Sequence, residues 1–202
     1  MAFDLNVFLA QGLIYGGARP SKFDVQVTFP TTLAGIDPNA ASKFNLTCFA
    51  ASIPAFELGE VDVPYFGRKI KSAGDRKWGD WSVTVMLDED YTTRAAFEAW
   101  NNAINRIESN VMQASFDGEN YKVPWLVTQY SKDGVSPIRQ YQIINGWPRT
   151  IGQMPLDWNG IDRISEFQMT VAFDNFAPAA GGESPWQFST STSYLAQIDS
   201  VG

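Results

Sequence analysis

The fold is decided by one stretch, VDVPYFGRKIKSAGDRKWGDWSVTVMLDEDYTTRAAFEAWNNAIN, which runs from Val61 to Asn105. It is typical of two strands followed by a helix, and it carries paired charges and several tryptophans but no set of catalytic residues. Trp81, Val83 and Val85 alternate with polar residues, which predicts a strand with one buried face. The stretch therefore predicts a structural subunit with long projections rather than an enzyme.

The first part of this stretch belongs to a predicted extended excursion, which begins at Phe56 and leaves the main sheet. Pro64 and Gly67 interrupt it, which argues against a central strand. Ala73-Gly74 is expected to form a turn between two groups of charged residues. Because aromatic residues beside arginine are enriched at protein interfaces, the excursion is a candidate contact surface.

Three acids, Asp88 to Asp90, precede a helix that is predicted over about residues 90–108. A metal site or a catalytic carboxylate pair is the alternative interpretation of these acids. We favour a structural role, because negative charge is stabilising near the positive end of a helix dipole. The apolar stripe of this helix comprises Phe97, Trp100, Ile104 and Ile107.

Alternating apolar residues elsewhere predict more strands, at 23–29, 42–51, 123–130, 140–148 and 167–174, with a loop at 33–41. Apolar residues at helical spacing predict a short N-terminal helix at 3–14, which packs on its own domain or docks on a neighbour. The fold class is therefore mainly β, an antiparallel β-sandwich or barrel with one main helix. We assign residues 1–176 to one domain and 177–202 to a Gly/Ser/Thr-rich extension, ordered by docking on its own domain or an adjacent copy.

The composition excludes several classes of function. The chain has no histidine, so a Ser–His–Asp triad is impossible and the commonest zinc ligand is missing. With a net charge of −7, the chain is poorly suited to binding the phosphate backbone of a nucleic acid. Cys48 is expected to be a small buried hydrophobe, with a reactive thiol as the alternative. We expect the chain to be no enzyme and to need no cofactor or metal. We also expect no stable membrane association, since no segment approaches the roughly 20 apolar residues of a membrane span.

The chain resembles the tail tube proteins of contractile-tailed bacteriophages over roughly residues 23–176. The matching residues within the quoted stretch are Arg68-Lys69-Ile70, Ala73-Gly74-Asp75-Arg76, Trp78, Asp80-Trp81, Val83-Thr84-Val85, Arg94, Phe97 and Trp100. Further matches are Cys48, Ile53-Pro54, Gly146-Trp147-Pro148, Leu156-Asp157-Trp158 and the strand at 167–173.

This resemblance implies a subunit that closes into hexameric rings, which stack helically into a rigid hollow tube inside a contractile sheath. DNA would pass down the bore, and contraction of the sheath would drive the tube through the host envelope. The expected partners are further copies of the chain, the sheath protein, baseplate and tail-terminator proteins, and a tape measure protein and DNA held in the bore without specific binding. The expected location is the virion, after assembly in the host bacterial cytoplasm.

On this interpretation the excursion Phe56–Trp78 is expected to reach a neighbouring subunit in the adjacent ring. Its expected contact residues are Tyr65, Phe66, Arg68, Lys69, Asp75, Arg76 and Trp78. Candidates for the bore lining are the polar faces of three strands, Asp24, Gln26 and Thr28, Ser82 and Thr84, and Gln168 and Thr170. The alternative for each row is that it faces the outer solvent.

Two other functions remain open from the sequence. One is the tube of a related injection machine, such as a tailocin, an extracellular contractile system or a type VI secretion apparatus. The other is a carbohydrate-binding β-sandwich, which is suggested by the seven tryptophans and the acidic net charge.

Overall fold

The computed structural model describes residues 8–13, 16–30, 36–114 and 120–179. The strands of this part of the chain are β1 Phe23–Val27, β2 Cys48–Ala51, β3 Phe56–Tyr65, β4 Arg68–Trp78, β5 Trp81–Met86, β6 Val123–Tyr130, β7 Pro137–Ile151, β8 Glu166–Ala172 and β9 Asn175–Ala179. Two α-helices accompany them, α1 Ala40–Thr47 and α2 Thr92–Ile104, together with a single π-helical turn at Phe8–Gly12.

The main sheet is antiparallel throughout, with the strand order β1-β6-β7-β8-β5-β2, and β9 pairs with β7 outside this order. The long strand β7 joins the two halves of the sheet: its first part pairs with β6 and β9, and its second part pairs with β8. Between these parts Asn145 has a positive φ of 59°. This architecture confirms the prediction of a mainly β, antiparallel fold.

The core lies between the sheet and the two helices and is dominated by aromatic rings. Trp81, Trp100 and Trp125 are fully buried, and Phe97 stacks against Trp100 and Trp125 at centroid distances of 6.2 and 6.1 Å. Every second residue of β5 is buried, so the predicted alternation of that strand is confirmed. Burial of large aromatic side chains supplies much of the hydrophobic stabilisation of such a fold.

The strand predicted over 42–51 is wrong in its first part, because that segment forms α1 and only then β2. Phe44 points into the core, at 5.3 Å from Phe97, whereas Leu46 is exposed. Three apolar residues at alternating positions are too few to distinguish a strand from a helix with one buried residue per turn. The core contact of Phe44 therefore decides the conformation here.

The main helix is shorter than predicted at both of its ends. It covers Thr92–Ile104 rather than about 90–108, because Asn105 is extended and forms a bridge with Met112. Ile107 consequently lies outside the helix and is exposed, so its assignment to the apolar stripe is wrong.

One other strand boundary differs from the expected one. Strand β7 continues through Gly146-Trp147-Pro148 to Ile151, where a strand end was predicted. Strand β9 runs across the expected domain boundary after Phe176 and ends at Ala179. Residues 3–7 and 14 of the predicted N-terminal helix, and residues 180–202 of the predicted extension, lie outside the described residues.

Candidate assembly surface

Strands β3 and β4 form a two-stranded hairpin that is separate from the main sheet. Its turn is at Phe66-Gly67, where φ is 43° and 80°, as a two-residue type I′ turn requires. The turn predicted at Ala73-Gly74 is therefore wrong. Those residues lie within β4, at an irregularity where Gly74 passes so close to Gly59 that a Cβ on Gly74 would lie 3.2 Å from the Gly59 backbone.

The outer half of the hairpin has one apolar face and one charged face. Val63 is directly opposite Ile70, and Val61 and Tyr65 extend the same face along β3; all four side chains are exposed. The other face carries two diagonal ion pairs, Lys69–Asp62 at 2.9 Å and Lys71–Glu60 at 2.6 Å. An isolated two-stranded ribbon is only marginally stable in water, so this hairpin is suited to packing on a partner.

The base of the hairpin is fixed to the domain by an aromatic cluster. Trp78 lies 5.1 Å from Phe176 and 6.5 Å from Phe173, and Phe56 lies 5.9 Å from Phe176, measured between ring centroids. The Arg76 guanidinium lies 4.8 Å from the centroid of Phe56 and 5.6 Å from that of Trp78. Trp78 and Arg76, which were expected to contact a neighbour, thus have structural contacts within their own chain.

The remaining predicted contact residues divide into two groups. Tyr65 and Phe66 meet edge to face at 4.7 Å at the tip, beside the exposed Arg68, and Phe66 is 90% exposed. Lys69 is held by Asp62, whereas no ion pair joins Arg68 or Asp75 to any other residue that the structure describes. The tip residues Tyr65, Phe66 and Arg68 are therefore the best-placed candidates for an intermolecular contact.

Two polar contacts within the domain were not predicted. Between β4 and β5, Asp80 accepts two hydrogen bonds from the Arg149 guanidinium on β7, at 2.8 and 2.6 Å. At the start of α2, Lys43 of α1 donates to Asp88, Asp90 and Thr92, each at 3.0 Å. The only sequence signal for these contacts was that Asp80 and the three acids at 88–90 are charged residues beside strongly apolar elements.

The acids at 88–90 have the structural role that was favoured for them. Asp88 accepts hydrogen bonds from the backbone N–H groups of Thr92 and Thr93, at 3.2 and 3.4 Å, and so caps the start of α2. Burial acts to raise the pKa of Asp88, but the Lys43 ammonium and the Thr93 N–H outweigh it and lower the pKa. The hydrogen bonds to Asp90 and Asp88 raise the pKa of Lys43.

The polar rows proposed for the bore lie on two different parts of the sheet. Ser82 pairs with Thr170 and Thr84 pairs with Gln168, so these four side chains share one face of β5 and β8. Asp24 and Gln26 lie on β1, where the Gln26 amide donates to the Asp24 carboxylate at 2.7 Å, and Thr28 follows the end of that strand. The structure brings the four residues of β5 and β8 together, and it separates them from the row on β1.

A second apolar surface lies on the loop 152–165 between β7 and β8. Leu156, Trp158, Ile161 and Ile164 are all exposed, and Trp158 is fully so. The ends of this loop are fixed, because Gly152 N donates to Gln168 O at 2.7 Å and Leu87 N donates to Ser165 O at 2.8 Å. Sequence reasoning had not singled out this loop as a contact surface, although apolar residues at 156, 158, 161 and 164 in a loop were the available signal.

Cys48 and the acidic side chains were the candidates for a reactive or metal-binding group. Cys48 is buried, as expected, and burial, together with the charge of Asp24, raises the pKa of its thiol to about 12. Within the described ranges, no three acidic or cysteine side chains are grouped to hold a metal ion. Nor does this part of the chain contain a helix that is long and apolar enough to cross a membrane.

The sequence of the chain matches a known protein family and named relatives. A model of the phage tail tube protein family matches residues 18–178. The tail tube proteins gp19 of Enterobacteria phages T4 and T6 are each 32% identical over 157 residues, a region that covers 78% of this chain and 89% of each relative.

Solved structures share the fold at much lower identity. A chain of the anti-feeding prophage baseplate has a TM-score of 0.59 at 13% identity, with 82% of this chain and 97% of that chain covered. A chain of the sheath/tube terminator of an extracellular contractile injection system has a TM-score of 0.56 at 12% identity, with 81% and 97% covered. These similarities support the assignment of the fold.

Proposed function

The chain belongs to the phage tail tube protein family, and we propose that it is the repeating subunit of the inner tube of a contractile phage tail. Copies close into hexameric rings, and the rings stack into a hollow conduit for DNA. The role is structural, and the protein is a component of the virion. It requires no cofactor.

The observation that carries this proposal is the projecting hairpin, which lies within the region that matches the family. Its tip and apolar face have no partner among the described residues of the same chain, although Val61, Val63, Tyr65 and Ile70 are the kind of side chains that a folded protein buries. A second copy of the chain supplies the missing partner. A head-to-tail contact between copies repeats into a filament when each step adds a rise along the axis.

The bore is assigned to the polar face of β5 and β8, which carries Ser82, Thr84, Gln168 and Thr170. This face is uncharged at those four positions, and the chain as a whole has a net charge of −7. A wall of this kind does not hold phosphates by ion pairing, because such binding depends on Lys and Arg that release counterions. The remaining partners are the sheath, baseplate and terminator proteins of the same tail.

Phage relatives at 32% identity favour a phage tail over other injection machines. Electron microscopy of the purified protein tests the proposal directly. We expect rings or tubes with a central channel and six-fold symmetry in end views. A protein that stays monomeric by light scattering, at every concentration and salt tried, would contradict it.

A cysteine at Gln168 tests the assignment of the bore. In assembled tubes, a Gln168→Cys variant is expected to react with a small maleimide but not with one attached to a large polymer. A matched Glu108→Cys variant, at an exposed position after α2, is expected to react with both reagents. Equal access of the large reagent to both positions would remove β5 and β8 from the bore.

A further inference from the structure

The hairpin and the loop 152–165 lie at opposite ends of the same strand. The hairpin enters β5 through Gly79 and Asp80, at the Trp81 end. The loop meets the other end, where Met86 pairs with Glu166 and Leu87 N donates to Ser165 O. At about 3.3 Å per residue, a strand of this length separates the base of the hairpin from the end of the loop by roughly 20 Å.

Both surfaces are apolar and exposed. The hairpin presents Tyr65 and Phe66 at its tip, and the loop presents Leu156, Trp158 and Ile161. A folded monomer rarely exposes two separate groups of large apolar side chains. Two different surfaces on one chain, whose attachment points lie at opposite ends of β5, are what a head-to-tail contact requires, because one copy contributes the first surface and the next copy the second.

The charges of the two surfaces are also complementary. The outer hairpin, residues 60–73, carries three basic and two acidic side chains, a net charge of +1. Its two acids are paired with Lys69 and Lys71, which leaves the Arg68 cation at the tip. The loop carries two acids and one arginine, a net charge of −1. Complementary charge of this kind sets the orientation of a contact more than its strength.

We propose that the hairpin tip of one copy docks on the loop 152–165 of the copy that follows it along the tube axis. This inference rests on the proposed function, since it names the surface that receives the hairpin. Such a contact leaves a free hairpin at one end of every stack and a free loop at the other. The tube is therefore polar, and each added ring presents the same surface as the last.

Cross-linking between introduced cysteines tests the contact. Cys48 is buried with a raised pKa, so introduced thiols are the reactive ones. The test variant is F66C/I161C and the matched control is F66C/V135C. Ile161 and Val135 are each 77% exposed, but Val135 lies in the turn before β7, at the opposite end of that strand from the loop.

Assembled tubes are treated with a short bis-maleimide and separated on a denaturing gel. We expect F66C/I161C to give a ladder of covalent multimers, and F66C/V135C to give none. Intact tubes without a ladder, or equal ladders from both variants, would overturn the docking contact while leaving the tube function in place. Absence of rings and tubes from the unsubstituted chain would overturn both.

Two further measurements keep the test decisive. If cysteine at position 66 prevents tube growth, the pairs R68C/I161C and R68C/V135C replace the first two, because Arg68 is the exposed residue that follows the turn. The single variant F66C is also cross-linked by itself. Abundant dimers from that variant would indicate tip-to-tip contacts and would overturn the proposed polarity.

Discussion

Asp80 and Arg149, which are 69 positions apart in the sequence, form a bidentate ion pair with N–O distances of 2.8 and 2.6 Å. Asp80 lies between the hairpin and β5, and Arg149 lies on β7. The planar guanidinium matches a carboxylate in a fixed geometry. The pair therefore restrains the direction in which the hairpin leaves the domain, at the position where a small rotation moves the tip furthest.

Removal of this ion pair is expected to affect assembly more than folding. The side chain of Arg149 is 46% exposed and that of Asp80 is 58% exposed. An Arg149→Met variant is therefore expected to lose no more than about 1 kcal/mol of unfolding free energy. Tubes measured by electron microscopy are expected to be shorter. Arg139→Met is the matched control, since Arg139 is on the same strand and lies over Tyr141. Equal tube lengths from the two variants would contradict the role given to Asp80–Arg149.

Charge reversal at the hairpin tip is expected to block tube growth. Arg68→Glu changes an exposed side chain without an ion pair among the described residues, so urea unfolding of the subunit is expected to change little. Each contact is worth at most about 1 kcal/mol, but the loss is repeated in every copy of a ring.

Arg76→Glu provides a contrast to the Arg68 variant. Arg76 lies over the rings of Phe56 and Trp78, so its reversal is expected to destabilise the hairpin base as well as assembly. Normal tubes from both variants would refute the hairpin as an assembly element.

Substitution of two tryptophans, one buried and one exposed, distinguishes an effect on folding from an effect on assembly. Trp100→Ala is expected to destabilise the subunit by about 3–5 kcal/mol, because Trp100 is fully buried in the aromatic core. Trp158→Ala removes the same side chain from a fully exposed position, so its unfolding free energy is expected to change by less than about 0.5 kcal/mol. Loss of tubes in the Trp158 variant alone would support the loop as a contact surface, and unimpaired tubes would count against it.

The cap at Asp88 gives a pH-dependent contribution to stability. Its pKa is lowered in the folded state, so this contribution is present above the usual Asp pKa of about 4 and is lost as the pH falls through the folded value. The difference in unfolding free energy between the wild type and Asp88→Asn is therefore expected to be largest near neutral pH and to shrink in acid. Glu89→Gln is the control, and urea unfolding of unassembled subunits at several pH values is the measurement. A difference that stays constant with pH would contradict the assignment.

Cys48 is expected to be unreactive until the subunit unfolds. An ordinary thiol is partly ionised at pH 8.5, whereas burial raises the pKa of Cys48 to about 12. Ellman's reagent is therefore expected to give no signal from the native protein and about one thiol per chain in denaturant. Rapid reaction of the native protein would show that the site is open.

The fold class and most strands were predictable because alternation has a period of two wherever one face of a strand is buried. Residues 81–86 and 166–172 follow that rule, and each forms a strand. Residues 123–130 also form a strand, although the adjacent Val127 and Thr128 are both buried there. The errors fall where the local pattern is short. The segment at 42–47 forms a helix because Phe44 packs against the rings of Phe97 and Trp125. No local pattern in the sequence indicates that contact.

The sequence by itself determined that this chain is a mainly β protein without histidine chemistry, and that residues 56–78 leave the main sheet. Only the tertiary structure decided that the turn is at Phe66-Gly67, and that Arg76 and Trp78 belong to the hairpin base while Arg68 remains at the tip. It also placed the loop 152–165 at the opposite end of β5. The physical reason is that alternation is a local property of the chain, whereas the pairing of strands and the partners of charged side chains depend on residues that are distant in sequence.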